Sequence, residues 1–355
     1  MNNSNTFLQR LGLRYPIIQA PMAGVSTPAL AAAVSDAGGL GSLGLGANSV
    51  EQARQLITQT QALTSKAFNV NLFCHLPAKR HPDNELAWSQ YLAPYFAQFN
   101  ETPPSYLNEI YDTFLDNSEM LSMLLETKPA VVSFHFNIPS IKVVQQLKQH
   151  GIYTMATATN LQEAQQVELA GIDAVVAQGI EAGGHRGIFD LQALDEELTT
   201  YELVTLISQH IDLPVIAAGG MMDGQGINMA LDCGAAAAQL GTAFLLCPES
   251  AANTGYRAKV KQQTADHTQL TSAISGRPAR GIINQFIRAG NGYETSQLPD
   301  YPLVYDIGKQ LNAAAIKSGS DEFAAYWAGQ NVAKAREMSA SLLVRTLAEE
   351  MKRSL

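Results

Sequence analysis

Short apolar runs alternate with amphipathic stretches through the first two thirds of the chain. Apolar runs of roughly four to eight residues, bounded by glycine or proline, are typical of buried strands, whereas apolar residues at three- and four-residue spacing are typical of helices. Eight such runs separated by helical stretches predict an α/β fold, a (β/α)8 TIM barrel rather than an open sheet. The predicted strands are residues 15–24, 40–45, 68–73, 130–136, 153–158, 175–178, 213–220 and 235–242.

The alternation is interrupted between Cys74 and Lys128, where prolines recur through a partly helical segment. Proline breaks regular structure, and long connections in a compact domain are often functional. The segment is therefore predicted to be an insertion at one barrel loop, where it could serve as a lid. After Phe244 the pattern changes to helices and loops, with a helical tail from about Asp321. The expected organisation is a barrel (1–73 and 129–250), an insertion (74–128), and a C-terminal extension (251–355) that partly joins the insertion in a smaller, mainly helical, substrate-side domain.

Composition narrows the class of protein. Hydrophobic residues make up 46% of the chain and charged residues 15%, so a sizeable core is expected. A net charge of -9 argues against nucleic-acid or membrane binding, because either needs a basic face. The three cysteines lack metal-site spacing and no apolar run approaches the roughly 18 residues of a membrane span. With a polar N-terminus unlike a signal peptide, these features predict a cytoplasmic protein without a metal, and leave the oligomeric state open.

Glycines end two consecutive predicted strands. Gly219 and Gly220 end the seventh strand, and Gly241 with Thr242 ends the eighth. Loops after these two strands, with free backbone N–H groups, are the usual phosphate site of a barrel. Tight turns alone would also explain the glycines. Their occurrence at both strands favours the phosphate site.

Amide side chains form a second feature, with Asn71, Gln178 and Gln239 at or near strand ends. Amides directed into a barrel mouth can donate and accept hydrogen bonds to a planar heteroaromatic ring, which suits a flavin. The common alternative is a buried amide satisfied by backbone groups. The three amides therefore indicate a flavin only in combination with the glycine loops.

His185 follows the sixth strand and the pair Gly183-Gly184. A histidine can act as a base or a donor near neutral pH, and the glycines leave room for a ligand. A lone histidine is more often structural, but its place beside the other two features favours catalysis. His135, within the fourth strand, can line the same mouth. The others are interpreted as surface or packing residues: His75, His81, His150, His210 and His267.

The C-terminal region adds a set of aromatic and basic residues. Tyr301, Tyr305 and Lys309 are four residues apart, and would share one face if the stretch is helical. Trp327 lies further along. A helix that packs its aromatic side on the barrel explains this spacing equally well.

These motifs resemble the nitronate monooxygenase family, formerly called 2-nitropropane dioxygenases, in its bacterial class I branch. The run Glu181–His185 is shared with flavin-type enoyl-acyl-carrier-protein reductases and NADH:quinone reductases. Tyr301-Pro302, Tyr305, Lys309 and the run 327–330 resemble the last class I motif, which favours the monooxygenase. The resemblance spans most of the chain and rests also on residues 16–24, 71–73, 178–187, 217–220 and 239–245.

The resemblance implies FMN, with its phosphate at the glycine loops and its ring near the amides. His185 would lie at the flavin face, where it is also the candidate base if neutral nitroalkanes are used. Charge complementarity to an anionic substrate would come from Lys309, from hydrogen bonds donated by tyrosine hydroxyls and from a protonated His185. The implied cofactor residues are Met22, Asn71, Gln178, Gly183, Gly219, Gly220, Gln239, Gly241 and Thr242, and the implied substrate pocket is His135, Tyr301, Tyr305, Lys309 and Trp327.

The implied reaction is the oxidative denitrification of alkyl nitronates, such as propionate 3-nitronate, with O2, giving a carbonyl compound and nitrite. The alternative within the same group is an NAD(P)H-dependent FMN reductase of the enoyl-acyl-carrier-protein or quinone type. A third alternative, from a different class, is a non-redox barrel that binds a phosphorylated metabolite, or a barrel that has lost its activity.

Overall fold

In the computed structural model, which describes residues 3–264 and 267–353, eight parallel strands form a barrel. The outermost residues of the expected 1–73 and 251–355 segments, and residues 265–266, lie outside the described residues. The strands of the described part are β1 (Ile17–Gln19), β2 (Gly41–Gly44), β3 (Phe68–Phe73), β4 (Val131–His135), β5 (Tyr153–Ala158), β6 (Ala174–Gln178), β7 (Gly184–His185), β8 (Val215–Ala218), β9 (Ala237–Leu240), β10 (Thr268–Thr271) and β11 (Ala279–Ile282).

Helices cover the outside of the barrel and build the additional segments. None of those in the described ranges has the length and apolar composition needed to cross a membrane. They are α1 (Asn3–Leu11), α2 (Pro28–Asp36), α3 (Val50–Leu63), α4 (Pro82–Ala97), α5 (Ser118–Thr127), α6 (Ile141–Gln149), α7 (Leu161–Leu169), α8 (Thr200–Ser208), α9 (Gly224–Asp232), α10 (Thr254–Lys261), α11 (Gln285–Gly290), α12 (Leu303–Lys317) and α13 (Ala340–Arg353).

The barrel strands follow the order β1-β9-β8-β6-β5-β4-β3-β2. The ring closes where the N–H of Gln19 donates to the carbonyl of Leu40 and the N–H of Leu40 donates to the carbonyl of Ile17, both over 2.9 Å. All eight predicted strands are present, so the predicted TIM barrel is confirmed. Because the strands are parallel, their carboxyl ends and the loops that follow them meet on one side of the molecule.

Local sequence signals explain most helix starts. Ser49 with Gln52, and Thr199 with Glu202, form complete capping boxes at α3 and α8. Asn160 caps α7 by accepting from the Glu163 N–H over 2.8 Å. The carboxylate of Glu163 does not complete that box, since it accepts instead from the N–H groups of Thr159 and Phe189.

The 74–128 segment contains two helices with different neighbours. α5 packs beside α3 and α6 through Met120, Met123 and Leu124, so it is the barrel helix between β3 and β4. α4 packs away from the barrel, where Trp88 joins Ile307 of α12 in a second apolar cluster. The spacing of α5's apolar residues at three and four positions is what directs it onto the barrel.

The C-terminal region differs in part from the expected helices and loops. β10 and β11 form an antiparallel sheet with β7, in which Ala279 pairs with His185. The helical tail begins at Ala340 rather than near Asp321, and α13 packs on α2 and α9. Residues before it bond to other segments, since the Ala328 N–H donates to the Arg280 carbonyl and the Gly329 N–H to the Thr242 hydroxyl. Because these N–H groups bond to distant segments, residues 328 and 329 do not form the hydrogen bonds of the expected helix.

Candidate active site

A cavity of about 460 Å³ opens at the carboxyl ends of the barrel strands. It reaches from the loops after β8 and β9 to the face of α12. Fourteen of the fifteen predicted site residues line it, and Tyr301 does not: Met22, Asn71, His135, Gln178, Gly183, His185, Gly219, Gly220, Gln239, Gly241, Thr242, Tyr305, Lys309 and Trp327.

The glycine end of the cavity presents free donors. Gly219 and Gly220 have φ values of +135° and +69°, which favour glycine. Within the described ranges, the N–H groups of Gly220 and Gly241 meet no protein acceptor. The Thr242 hydroxyl accepts from the Gly329 N–H over 2.9 Å and keeps its own proton. Converging unpaired donors are what a phosphate requires, so this end of the cavity fits the phosphate of a flavin.

The three amides differ in what they leave available. Asn71 Nδ2 donates to Ser133 Oγ over 2.9 Å, and its Oδ1 has no partner among the described residues. Gln239 is half-buried and, in the same part of the chain, its amide bonds to no protein group. Gln178 instead donates from Nε2 to the His185 carbonyl and accepts at Oε1 from the Gly187 N–H, over 2.9 and 2.8 Å. Asn71 and Gln239 therefore offer free groups to a ring, while Gln178 holds the histidine loop.

The backbone of His185 is held from two barrel strands. Its carbonyl accepts from Gln178 of β6 and from His135 Nε2 at the end of β4, the latter over 3.1 Å. Since a carbonyl only accepts, His135 carries its proton on Nε2, and its Nδ1 accepts from the Thr157 hydroxyl over 3.0 Å. His135 therefore contributes to the site by holding the backbone of His185 in position.

The imidazole of His185 contacts the cavity inside a shell of rings. Ring centroids lie 5.2 Å from Trp327 and 5.9 Å from both Tyr301 and Tyr305. Burial first, and then the interactions with His135 and Arg277, together lower the pKa of His185 to about 3. This pKa favours a neutral imidazole near pH 7, and a binding role for a protonated His185 stays a prediction.

The outer wall of the cavity is aromatic and carries one exposed cation. Lys309 Nζ lies 4.8 Å from the ring centroid of Tyr111 and 5.4 Å from that of Tyr305. The indole N–H of Trp327 donates to the Tyr305 hydroxyl over 3.4 Å. Tyr305 and Lys309 lie one turn apart on α12, as their spacing predicts. Tyr301 precedes the helix and packs behind His185, where its hydroxyl is buried and has no partner among the described residues.

Sequence reasoning missed three residues near the cavity. Tyr111 lies in the insertion, outside any periodic element, and lines the cavity. Ser275 and Arg277 lie in a segment that was expected to be a loop, and both are buried. The Arg277 guanidinium stacks 4.2 Å from the Phe136 ring centroid, and burial lowers its pKa to about 10. The serine-glycine-arginine run before β11 was the available signal, but nothing local connects it to His185.

Fold and site together define a class, an α/β-barrel protein in which one cavity joins unpaired backbone donors and a neutral histidine. The family model described as nitronate monooxygenase matches residues 5–350. The chain belongs to the nitronate monooxygenase family and is an oxidoreductase. Membership points to a flavin cofactor and to oxidative chemistry on nitronates.

Individual relatives agree over nearly full length. A nitronate monooxygenase of Paraburkholderia phytofirmans is 53% identical over 348 residues, covering 98% of this chain and 95% of the relative. The crystal structure of nitroalkane oxidase from Streptomyces ansochromogenes has a TM-score of 0.88 at 38% identity, covering 98% of each chain. FabK from Thermotoga maritima has a TM-score of 0.73 at 28% identity, covering 98% of this chain and 96% of that one. The fold is therefore shared over nearly the whole chain.

Proposed function

We propose that the protein is an FMN-dependent enzyme that oxidises alkyl nitronates with O2 to a carbonyl compound and nitrite. The observation that carries this proposal is that one cavity joins unpaired phosphate donors, free amides and an aromatic wall with a lysine. Family membership supports the same reaction class. Propionate 3-nitronate is the substrate with which we would test it.

The residues present fit FMN. The N–H groups of Gly220 and Gly241 and the Thr242 hydroxyl would hold the phosphate, while Asn71 Oδ1 and the Gln239 amide would bind the ring edge. Met22 and Gly183 line the same cavity and would contact the ring system. When bound, FMN would supply electron transfer between the nitronate and O2.

A nitronate is an anion, so its binding requires positive charge and exclusion of water. Lys309 at the mouth supplies an exposed cation, and Tyr305 and Trp327 supply apolar surface beside it. We propose that α4, α12 and the loop carrying Tyr111 form the substrate side of the molecule. Orientation against the flavin, rather than proton removal, is the main task with this substrate.

A neutral nitroalkane adds one requirement, since its α-proton must be removed. His185 is unprotonated and contacts the cavity, so it can receive that proton. The imidazolium would form beside the nitronate, and this ion pair would offset the desolvation that lowers the pKa of His185. The Streptomyces relative, described as a nitroalkane oxidase, supports including neutral nitroalkanes in the assay.

The test is a visible spectrum of the purified protein, followed by oxygen uptake and nitrite release with propionate 3-nitronate in the absence of NAD(P)H. Flavin-loaded protein that consumes no nitronate would overturn the proposal. Rapid anaerobic flavin reduction by NADH would favour the NAD(P)H-dependent reductase. A colourless protein that cannot be reconstituted with FMN would favour a barrel for a phosphorylated metabolite.

A further inference from the structure

We propose that Ser275 is a positioning residue that selects the tautomer of His185, placing the proton on Nε2 and leaving the Nδ1 lone pair to face the cavity. The inference rests on the proposed function of the site and deepens it. Ser275 would be needed for the turnover of one substrate class, the neutral nitroalkanes, because their α-proton must be accepted by a base.

Ser275 meets the side of the imidazole ring that carries Nε2. Its side chain is fully buried, at 0% exposure, and its Oγ lies 2.9 Å from His185 Nε2. The same oxygen lies 3.1 Å from the Arg277 carbonyl and 3.3 Å from the Arg277 N–H. Ser275 therefore has three polar neighbours, one of which can only accept and one of which can only donate.

The single hydroxyl proton decides the tautomer. A serine hydroxyl donates one hydrogen bond and accepts two. In the described ranges, Ser275 is the sole donor to the carbonyl of the buried Arg277. Donation to that carbonyl satisfies it and leaves the oxygen to accept from the Arg277 N–H and from His185 Nε2–H. Donation to His185 would strand the carbonyl, and unpaired buried carbonyls are disfavoured.

Backbone pairing holds the serine segment in place. Ala279 of β11 pairs with His185 of β7, and the Arg186 N–H donates to the Pro278 carbonyl over 2.8 Å. These bonds hold Pro278 and Ala279, three and four residues after Ser275, against the histidine loop and so bring Ser275 to the imidazole. The second ring nitrogen, Nδ1, has no hydrogen-bond partner among the described residues, and His185 lines the cavity.

The tautomer matters for one step. With a neutral nitroalkane, the α-proton moves to Nδ1, the electron pair of the broken C–H bond stays on the substrate, and a nitronate anion forms beside an imidazolium cation. Charge and atoms balance without an oxidant. A nitronate supplied as the anion needs no such step, so the tautomer of His185 is not required for it.

The first experiment compares flavin-loaded wild type and Ser275→Ala in kcat/KM for nitroethane and for its preformed nitronate. We expect the nitroethane value to fall about ten- to a hundredfold, part of the 10²–10⁴ that positioned proton transfer contributes, and the nitronate value to change by less than about threefold. Ser275→Thr, which keeps the hydroxyl, should restore most of the nitroethane activity. Ser35→Ala, which removes another buried hydroxyl outside the cavity lining, is the control and should leave the ratio unchanged.

The second experiment reads the tautomer directly from imidazole 15N shifts in protein labelled at histidine, with His185→Asn used for assignment. Wild type should show His185 protonated at Nε2, and Ser275→Ala a mixture of tautomers. If Ser275→Ala does not fold, Ser275→Cys takes its place in both experiments.

The proposal is overturned by a proton on Nδ1 in wild type, by equal loss with both substrates, or by no loss with either. Wild type that uses the nitronate but not nitroethane also overturns it, while leaving the proposed function intact. Failure of wild type with the nitronate overturns the proposed function itself.

Discussion

The indole of Trp327 packs against the imidazole of His185, with ring centroids 5.2 Å apart. The contact depends on Gly183, because a Cβ there would lie 2.5 Å from both the Ala328 carbonyl carbon and the Gly329 nitrogen. The histidine loop and the C-terminal segment therefore approach each other backbone to backbone. This close packing places Trp327 beside His185 in the wall of the cavity.

Gly183→Ala should separate these two segments. The added methyl has no room, so we expect a loss of about 1–3 kcal/mol in the free energy of unfolding, with a lower kcat/KM for the nitronate. Chemical unfolding and steady-state kinetics measure the two effects. Gly226→Ala is the control, since its Cβ would make only an ordinary contact at 3.4 Å and lies in α9. Unchanged stability in Gly183→Ala would contradict the close approach.

His185→Asn should lower turnover of neutral nitroalkanes far more than it lowers flavin content. The phosphate donors and the free amides lie on other elements, so cofactor binding should persist. Absorbance of the purified variant gives the flavin content, and oxygen uptake gives the turnover. Equal loss of both would show that His185 is structural.

Lys309→Met should weaken binding of an anionic substrate. The ammonium group at the cavity mouth is exposed, so we expect the KM for a nitronate to rise about three- to tenfold with a small change in kcat. The effect should shrink as ionic strength increases, because salt screens exposed charges. Lys317→Met removes an exposed lysine at the far end of α12, away from the cavity lining, and should leave KM unchanged.

Gly220→Ala should reduce flavin retention. Gly220 has φ +69°, and its Cβ would lie 3.1 Å from Glu181 Cβ beside the proposed phosphate site. Gly151→Ala is a matched control, since Gly151 has φ +80° with no atom within 4 Å of an added Cβ. Both variants carry the backbone strain, of about 1 kcal/mol, and only Gly220→Ala should raise the dissociation constant for FMN. Equal FMN affinity in both variants would argue against a phosphate at Gly220.

Stability should fall as the pH drops below about 6.5, the ordinary pKa of histidine. Burial, followed by the charge of Arg277, lowers the pKa of His75 to about 4. Between these pH values the unfolded chain holds a proton that the folded chain does not, so the free energy of unfolding decreases by about 1.4 kcal/mol per pH unit for such a histidine. His75→Gln should reduce the dependence of the free energy of unfolding on pH by about 1.4 kcal/mol per pH unit, when unfolding is measured from pH 6.5 to 4.5. An unchanged slope would show that His75 is not the group responsible.

The sequence by itself determined the barrel. The eight strands are encoded by apolar runs that form buried strands wherever they pack, and the helices between them begin at residues that satisfy their own N–H groups, as Ser49 does at α3. Strand ends of a parallel barrel meet on one side, so Asn71, His185 and Gly220 could be assigned to one cavity without any long-range information.

Only the tertiary structure decided how the cavity works. Gln178 bonds to the histidine loop rather than facing a ligand with both amide groups, and His185 is neutral because of its surroundings. The small sheet of β7, β10 and β11, which brings Ser275 to His185, consists of strands of two to four residues without an apolar run. Such strands form through bonds to distant partners. The chemistry of the histidine is therefore set by contacts between segments far apart in the chain, and no local pattern encodes them.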